Sequence, residues 1–309
     1  MSITEFMKVT IWVSLLVGLL SISFNTISPS GGWTGIFASK NDFAQFAASG
    51  VITGFSGLIG GLRRNIFYPS LICIALSTYL LIKADSAGAL IATSGSCLIV
   101  LGIKFLGRFR GFARFFLLAF MFLVLLFVVL FVSLNLPAMQ QILLDATGKD
   151  ATMTGRTELW EVAFDEIEKR PIFGTGYKAY WIPGNSMAEQ LWEKFGIASK
   201  QGFHFHNTII SNAVEIGIFG VLILVYIFFS SSYRIACWAL NDPCSETFFV
   251  FGLTAFTLIL MNTEVMFFSQ FHKQTVLVIA AMAYAARLRG VLVPKCLQHD
   301  SPRARLIRA

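Results

Sequence analysis

The chain has 309 residues, of which 56% are apolar and only 13% charged, and its formal net charge is +7. A soluble domain carries about 25% charged residues, so the composition excludes an ordinary solvated globule. The basic excess does not mark a nucleic-acid binder: the cations sit in short loops between apolar runs and in the C-terminal tail, the pattern that biased membrane insertion produces.

A helix needs roughly 20 apolar residues to cross the hydrocarbon core. On that rule the sequence predicts an all-α integral membrane protein with about eight transmembrane helices, centred near Leu16, Val51, Cys73, Gly95, Leu125, Gly217, Thr257 and Ile279. The first run leads into Phe24-Asn25-Thr26 rather than a small-x-small cleavage site, which fits an uncleaved anchor. The second is rich in Gly, Ala and Ser, a composition suited to close helix–helix contact rather than to lipid. Phe115 to Leu136 contains no charge and is the strongest span. Spans one to five occupy residues 1–136, spans six to eight occupy 208–290, and 291–309 form a basic tail. Arg63 and Arg64, Lys104 to Arg114, Arg234 and the tail fall on one side, which is therefore cytoplasmic and holds both termini.

Residues 137–207 form the one large loop, on the opposite side. None of the five cysteines lies in it, so no disulfide staples it, and no Cys/His spacing suggests zinc. Within it, Arg156 to Lys169 reads as a short amphipathic helix. Leu159, Trp160, Ala163, Phe164 and Ile167 recur on one face, and Glu161, Asp165, Glu166 and Glu168 lie opposite. Pro171 ends it. Gly174-Thr175-Gly176 gives a flexible turn into Tyr177, Tyr180 and Trp181, aromatics that line a sugar-binding surface or anchor the loop at lipid headgroups.

Four constellations on this side carry chemistry. Gly35-Ile36-Phe37-Ala38-Ser39-Lys40-Asn41 stands at the mouth of the second span, where a lysine often simply snorkels. Lys83-Ala84-Asp85-Ser86 forms a tight turn in which a weak surface ion pair is the plain reading. Thr154-Gly155-Arg156-Thr157 opens the amphipathic helix. A guanidinium beside helix N-terminal N–H groups makes an anion site; pairing with Glu158 or Glu161 is the alternative. His204-Phe205-His206-Asn207 stands before the sixth span, with Glu215, Gly217 and Gly220 beyond. An ionisable group inside a span is costly, so Glu215 requires a partner or a task, and Glu264 in the seventh span requires the same.

In this order, Gly-Ile-Phe-x-x-Lys-Asn, the Ser86 turn, Thr-Gly-Arg-Thr-x-x-Trp with Arg170-Pro171 and Gly174-x-Gly176-Tyr177, then His206-Asn207 and Glu215-x-Gly217-x-x-Gly220, the chain resembles the O-antigen ligase and polymerase superfamily. The resemblance runs from about Trp33 to Gly220. It implies a GT-C-like glycosyltransferase of the bacterial inner membrane with a periplasmic loop, taking a glycan from an undecaprenyl pyrophosphate carrier without a metal or other cofactor. The chain departs from the family pattern at two points. The family usually has several more spans before the Lys-Asn motif, so a fragment or a compact variant is expected, and Ser86 is followed by Ala87 where a cation is usual.

On this reading His206 is the general base, since an imidazole exchanges protons near neutrality, and Arg156 stabilises the leaving pyrophosphate. Lys40, Asn41, Lys83, Ser86, Asn207 and Glu215 are expected to bind substrate. The acceptor is a glycan or lipid A core, and polysaccharide assembly proteins are conceivable partners beside the membrane lipids. The shared motifs do not separate ligase from exopolysaccharide or O-antigen polymerase. From another class, buried Glu215 and Glu264 would also suit a transporter, and a shortened N-terminal half a non-catalytic assembly subunit.

Overall fold

The computed structural model describes residues 2–29, 31–61, 64–134 and 155–266, with 275–276, 279–280 and 282–284. The expected eighth span lies largely outside these residues, and the basic tail wholly so. Among the described residues the protein is helical: α1 Ile3–Ser23, α2 Lys40–Gly60, α3 Arg64–Lys83, α4 Ala87–Leu106, α5 Gly111–Leu134, α6 Arg156–Lys169, α7 Ser186–Lys194, α8 Thr208–Asn241 and α9 Ser245–Leu260. One isolated antiparallel bridge joins Ile27 to Trp33. Five segments, Ile3–Ser23, Lys40–Gly60, Ile66–Lys83, Ala87–Leu106 and Thr208–Asn241, are long and apolar enough to cross a membrane. The chain is a multi-pass membrane protein.

The described residues divide into two compact units. One is built from Met1–Arg108 and Phe229–Leu260, the other from Phe109–Phe228 and residues 261–266. In the first, small and polar side chains such as Ser14, Ser49 and Thr53 are buried beside large apolar ones such as Phe43 and Phe249, while other large apolar side chains face outward. On α1, Met7, Ile11, Ser14, Gly18 and Ser21 are buried while Trp12, Leu16 and Leu19 are exposed. Lipid solvates Leu as well as protein does, so close backbone approach rather than hydrophobicity holds such helices together. The second helix illustrates this. A Cβ on Gly50 would collide with Ser77, one on Gly54 would stand 2.8 Å from the Ser70 carbonyl, and one on Gly60 would overlap the Ser245 backbone. The small residues of α2 thus form the contact seam expected of them, and α2 is the most buried of the five long apolar segments.

The second unit contains a folded core made largely by the loop. Leu159, Ala163, Tyr180, Ala188, Leu191, Trp192, Phe205 and Val214 are buried together, with Trp160, Trp181, Phe195 and Phe203 packed around them. Helix α6 has the bounds expected from its periodicity, ending at Lys169 with Arg170 as its cap immediately before Pro171. Leu159 and Ala163 point into the core, but Phe164 of the same apolar face is 52% exposed. Tyr180 is wholly buried, and desolvation pushes its phenol well above the usual tyrosine range. It is a neutral core residue and neither a sugar platform nor a headgroup anchor. Tyr177, 44% exposed, is the outward aromatic of that group.

Helix α8 is broken at Gly217, which has φ 70° and ψ 178°, a region open essentially to glycine alone. In an unbroken helix Ile218 N–H would donate to the Val214 carbonyl. Here Ile218 N–H donates to the Pro171 carbonyl at 2.8 Å, and the Val214 and Glu215 carbonyls take the N–H groups of Thr175 and Gly176, each at 2.8 Å. The turn expected to be flexible is therefore locked. Its glycines serve close approach: a Cβ on Gly174 would stand 2.6 Å from the Glu215 carbonyl, and one on Gly217 would overlap the Ile172 carbonyl.

Candidate functional site

The residues singled out in the sequence gather into two groups, one in each unit. In the first unit Ser39 caps α2, its hydroxyl accepting the N–H of Asp42 at 3.1 Å, which sets Lys40 and Asn41 in the first turn. Ser86 is the residue before α4. Its hydroxyl donates to Asn41 Oδ1 at 3.2 Å, so two expected substrate-binding residues are brought into contact. Lys83 ends α3. Its Nζ lies 5.6 Å from the Trp33 ring centroid and 5.7 Å from that of Tyr79, within cation–π range, and its carbonyl accepts the N–H of Trp33 at 2.8 Å.

In the second unit the organising residue is Glu264, which is only 8% exposed. It does not lie in a span as expected. Helix α9 ends at Leu260, and Glu264 sits in the turn that follows, because Asn207 and Thr208 take the carbonyls of Met261, Asn262 and Glu264 out of a helical ladder. Thr208, the first residue of α8, donates its N–H to the Met261 carbonyl at 2.9 Å and its hydroxyl to the Glu264 carbonyl at 2.7 Å. The same hydroxyl accepts the N–H of Met266 at 3.0 Å.

Three site side chains converge on the Glu264 carboxylate. Arg156 Nη2 stands 4.0 Å from Oε1, and His204 Nε2 and His206 Nδ1 each stand 3.6 Å from Oε2. Arg156 is the first residue of α6, behind Gly155 at φ 94°. Glu158, offered by the sequence as a local partner for Arg156, pairs with Lys194 at 2.8 Å. His206 holds a φ of 51°, a conformation that costs a side-chain-bearing residue about 1–3 kcal/mol and is retained where surroundings enforce it. The enforcement is visible. Trp160 Nε1–H donates to the carbonyl of Phe205 at 2.8 Å, and Asn207 Oδ1 accepts the N–H groups of Ile209 and Ile210 at 2.9 and 3.0 Å.

His204 Nδ1 accepts the main-chain N–H of His206 at 3.1 Å. A neutral imidazole that accepts at one nitrogen carries its proton on the other, so His204 presents Nε2–H to Glu264. His204, His206 and Glu264 place three potential ligand atoms within 4.8 Å of one another.

Two expected binding residues have structural partners. Asn207 caps α8 through Oδ1 and donates Nδ2–H to the Asn262 carbonyl at 3.3 Å. Glu215 Oε2 accepts the N–H of Lys178 at 3.0 Å, which holds the turn at Tyr177-Lys178 against the break in α8. Glu264 was visible in the sequence only as an acid in an apolar stretch; nothing local linked it to Arg156 or to the histidines.

The O-antigen ligase family (Wzy_C) matches residues 71–225, half of the chain, a stretch that includes Lys83, Ser86, Arg156, His206 and Glu215. The chain is also 29% identical over 264 residues to the exopolysaccharide production protein ExoQ of Rhizobium meliloti (strain 1021), an alignment covering 84% of this chain and 59% of the relative. It therefore spans under two thirds of that relative's length. With the order of motifs, the all-helical membrane architecture and a match over half its residues in agreement, the chain belongs to the O-antigen ligase family.

Proposed function

We propose that this protein transfers a glycan from undecaprenyl pyrophosphate to an acceptor hydroxyl, at the periplasmic face of the inner membrane. The observation that carries the reading is the shared carboxylate of Glu264, which sets a guanidinium and an imidazole from distant parts of the sequence beside one another. Glycan transfer from a diphosphate carrier calls for a base at the acceptor hydroxyl and a cation at the leaving pyrophosphate, and these two groups can supply them. His206 takes the proton of the acceptor hydroxyl as the oxygen bonds to the anomeric carbon. The bond from that carbon to the phosphate oxygen breaks, its electron pair leaves with the pyrophosphate, and Arg156 stabilises the charge that develops there. Direct displacement inverts the anomeric centre. The reaction is read as metal-independent because a fixed cation is available and His204 turns a protonated nitrogen toward Glu264. Lys40, Asn41, Lys83 and Ser86 are assigned to donor binding.

A second reading differs in the acceptor alone. The similarity to a protein named for exopolysaccharide production favours polymerisation, in which the acceptor is another lipid-linked glycan rather than lipid A core. Deleting the gene separates the two: long chains stranded on the carrier indicate a ligase, and single repeat units indicate a polymerase. The roles are tested by glycan transfer with His206→Ala and Arg156→Ala at normal expression. Each is expected to lose about 10²–10⁴-fold in rate. Wild-type product from both would end the assignment and leave a transporter or an assembly subunit.

A further inference from the structure

We propose that Glu264 is a positioning residue: it holds His206 in the tautomer with its proton on Nδ1 and its lone pair on Nε2, and it balances the charge that ring acquires on taking up the acceptor's proton. The inference rests on the reading of His206 as the proton acceptor and adds to it the group that makes it one.

The geometry is directional. His206 Nδ1 is shielded from solvent and, among the described residues, has no hydrogen-bond partner at closer range; it faces Glu264 Oε2 at 3.6 Å. A carboxylate can only accept, so the nitrogen that faces it carries the proton. The lone pair is then on Nε2, the nitrogen left for an acceptor hydroxyl. Contacts of this kind are often long before substrate arrives and tighten in the reacting complex. Among the described residues, the charged and titratable groups around the His206 ring include Glu264 itself, the His204 ring at 4.4 Å between centroids, and Arg156 on the far oxygen of Glu264.

His204 completes the arrangement. Its Nδ1 is fixed by the N–H of His206, so its Nε2–H also points at Glu264 Oε2. One oxygen thus receives both imidazoles, and the other faces the guanidinium. The carboxylate itself is anchored through its backbone by Thr208, and it is nearly buried. This is the logic of an acid–imidazole pair in which the acid selects the tautomer and is not itself protonated.

The test begins with the unaltered protein in lipid. Nitrogen-15 NMR of its histidines at mildly alkaline pH, with His204→Gln and His206→Gln used for assignment, should show His206 protonated on Nδ1 and bare on Nε2. A proton on Nε2 overturns the proposal without reference to any activity. For turnover, Glu264→Gln should lower kcat by about 10²–10⁴-fold with KM changed less than about threefold. Glu264→Asp should restore part of the rate. A raised KM with unchanged kcat, or a wild-type rate for Glu264→Gln beside an inactive His206→Ala, overturns the proposal. A fully active His206→Ala instead overturns the underlying reading of the site. Should Glu264→Gln fail to accumulate, the NMR of the unaltered chain decides alone.

Discussion

The main-chain N–H of Ile218 donates to the carbonyl of Pro171 at 2.8 Å, a residue outside the helix in which Ile218 lies. The exchange is reciprocal, because the carbonyls released at the break in α8 are taken by Thr175 and Gly176. Glycines at 174 and 217 allow two backbones to approach where a side chain would not fit.

Gly217→Ala should therefore be far more damaging than an ordinary glycine substitution. Its φ and ψ belong to glycine, at a cost of about 1–3 kcal/mol for alanine, and the added Cβ overlaps the Ile172 carbonyl. Gly196→Ala is the control: it shares a positive φ of 66° but has nothing within 4 Å of the new atom, and should cost only about 1–2 kcal/mol. Thermal unfolding of the purified variants in detergent checks the ranking.

Trp160→Phe keeps most of the ring in the core but removes the N–H given to the Phe205 carbonyl. Leaving that carbonyl without its partner should cost about 1–3 kcal/mol. Because Phe205 directly precedes His206 and its strained backbone, the rate of transfer should fall further than the loss of folded protein explains. Parallel measurements of melting temperature and of kcat per folded molecule test this.

Arg156→Lys should not restore the function lost in Arg156→Ala. A lysine supplies a compact point charge in place of a planar fork, and the guanidinium reaches Glu264 already at the 4.0 Å limit of an ion pair. We expect a rate at least about tenfold below wild type, since bidentate contact with phosphate oxygens is lost. Steady-state transfer assays with a lipid-linked donor give the answer.

Asn41→Ala and Ser86→Ala should be non-additive. Their side chains share a 3.2 Å hydrogen bond, and paired groups couple by about 0.5–3 kcal/mol in double-mutant cycles. The double variant should therefore lose less than the two single losses combined, measured as donor affinity or as stability. Strict additivity would mean that the bond contributes nothing.

On the surface of the loop core, Glu189 accepts the N–H of Gly184 at 3.1 Å and pairs with Lys200 at 3.5 Å. The backbone hydrogen bond first, and the lysine second, hold its carboxyl below the usual glutamate range. A lowered acid stabilises the fold at neutral pH and loses that contribution as pH falls through its folded value. Melting curves of wild type and Glu189→Gln should differ near neutrality and converge on acidification below the usual glutamate range.

The local chemistry of the chain determined much of this protein. Apolar run length marked the helices long enough to cross a membrane, the periodicity of Leu159, Ala163 and their neighbours gave α6 with its end at Lys169, and the Gly and Ser content of α2 indicated its close contacts. The ordered motifs pointed to the family. Tertiary structure alone decided the rest. Hydropathy cannot show that an apolar helix opens at Gly217, because the replacement hydrogen bonds come from Pro171, Thr175 and Gly176 on another segment. Nor could sequence place Glu264, since the cation and imidazoles it gathers lie far away along the chain and meet it only where the turn after α9 is anchored to the start of α8. Periodicity records what a residue does within its own helix; a site assembled from three segments is recorded only in their packing.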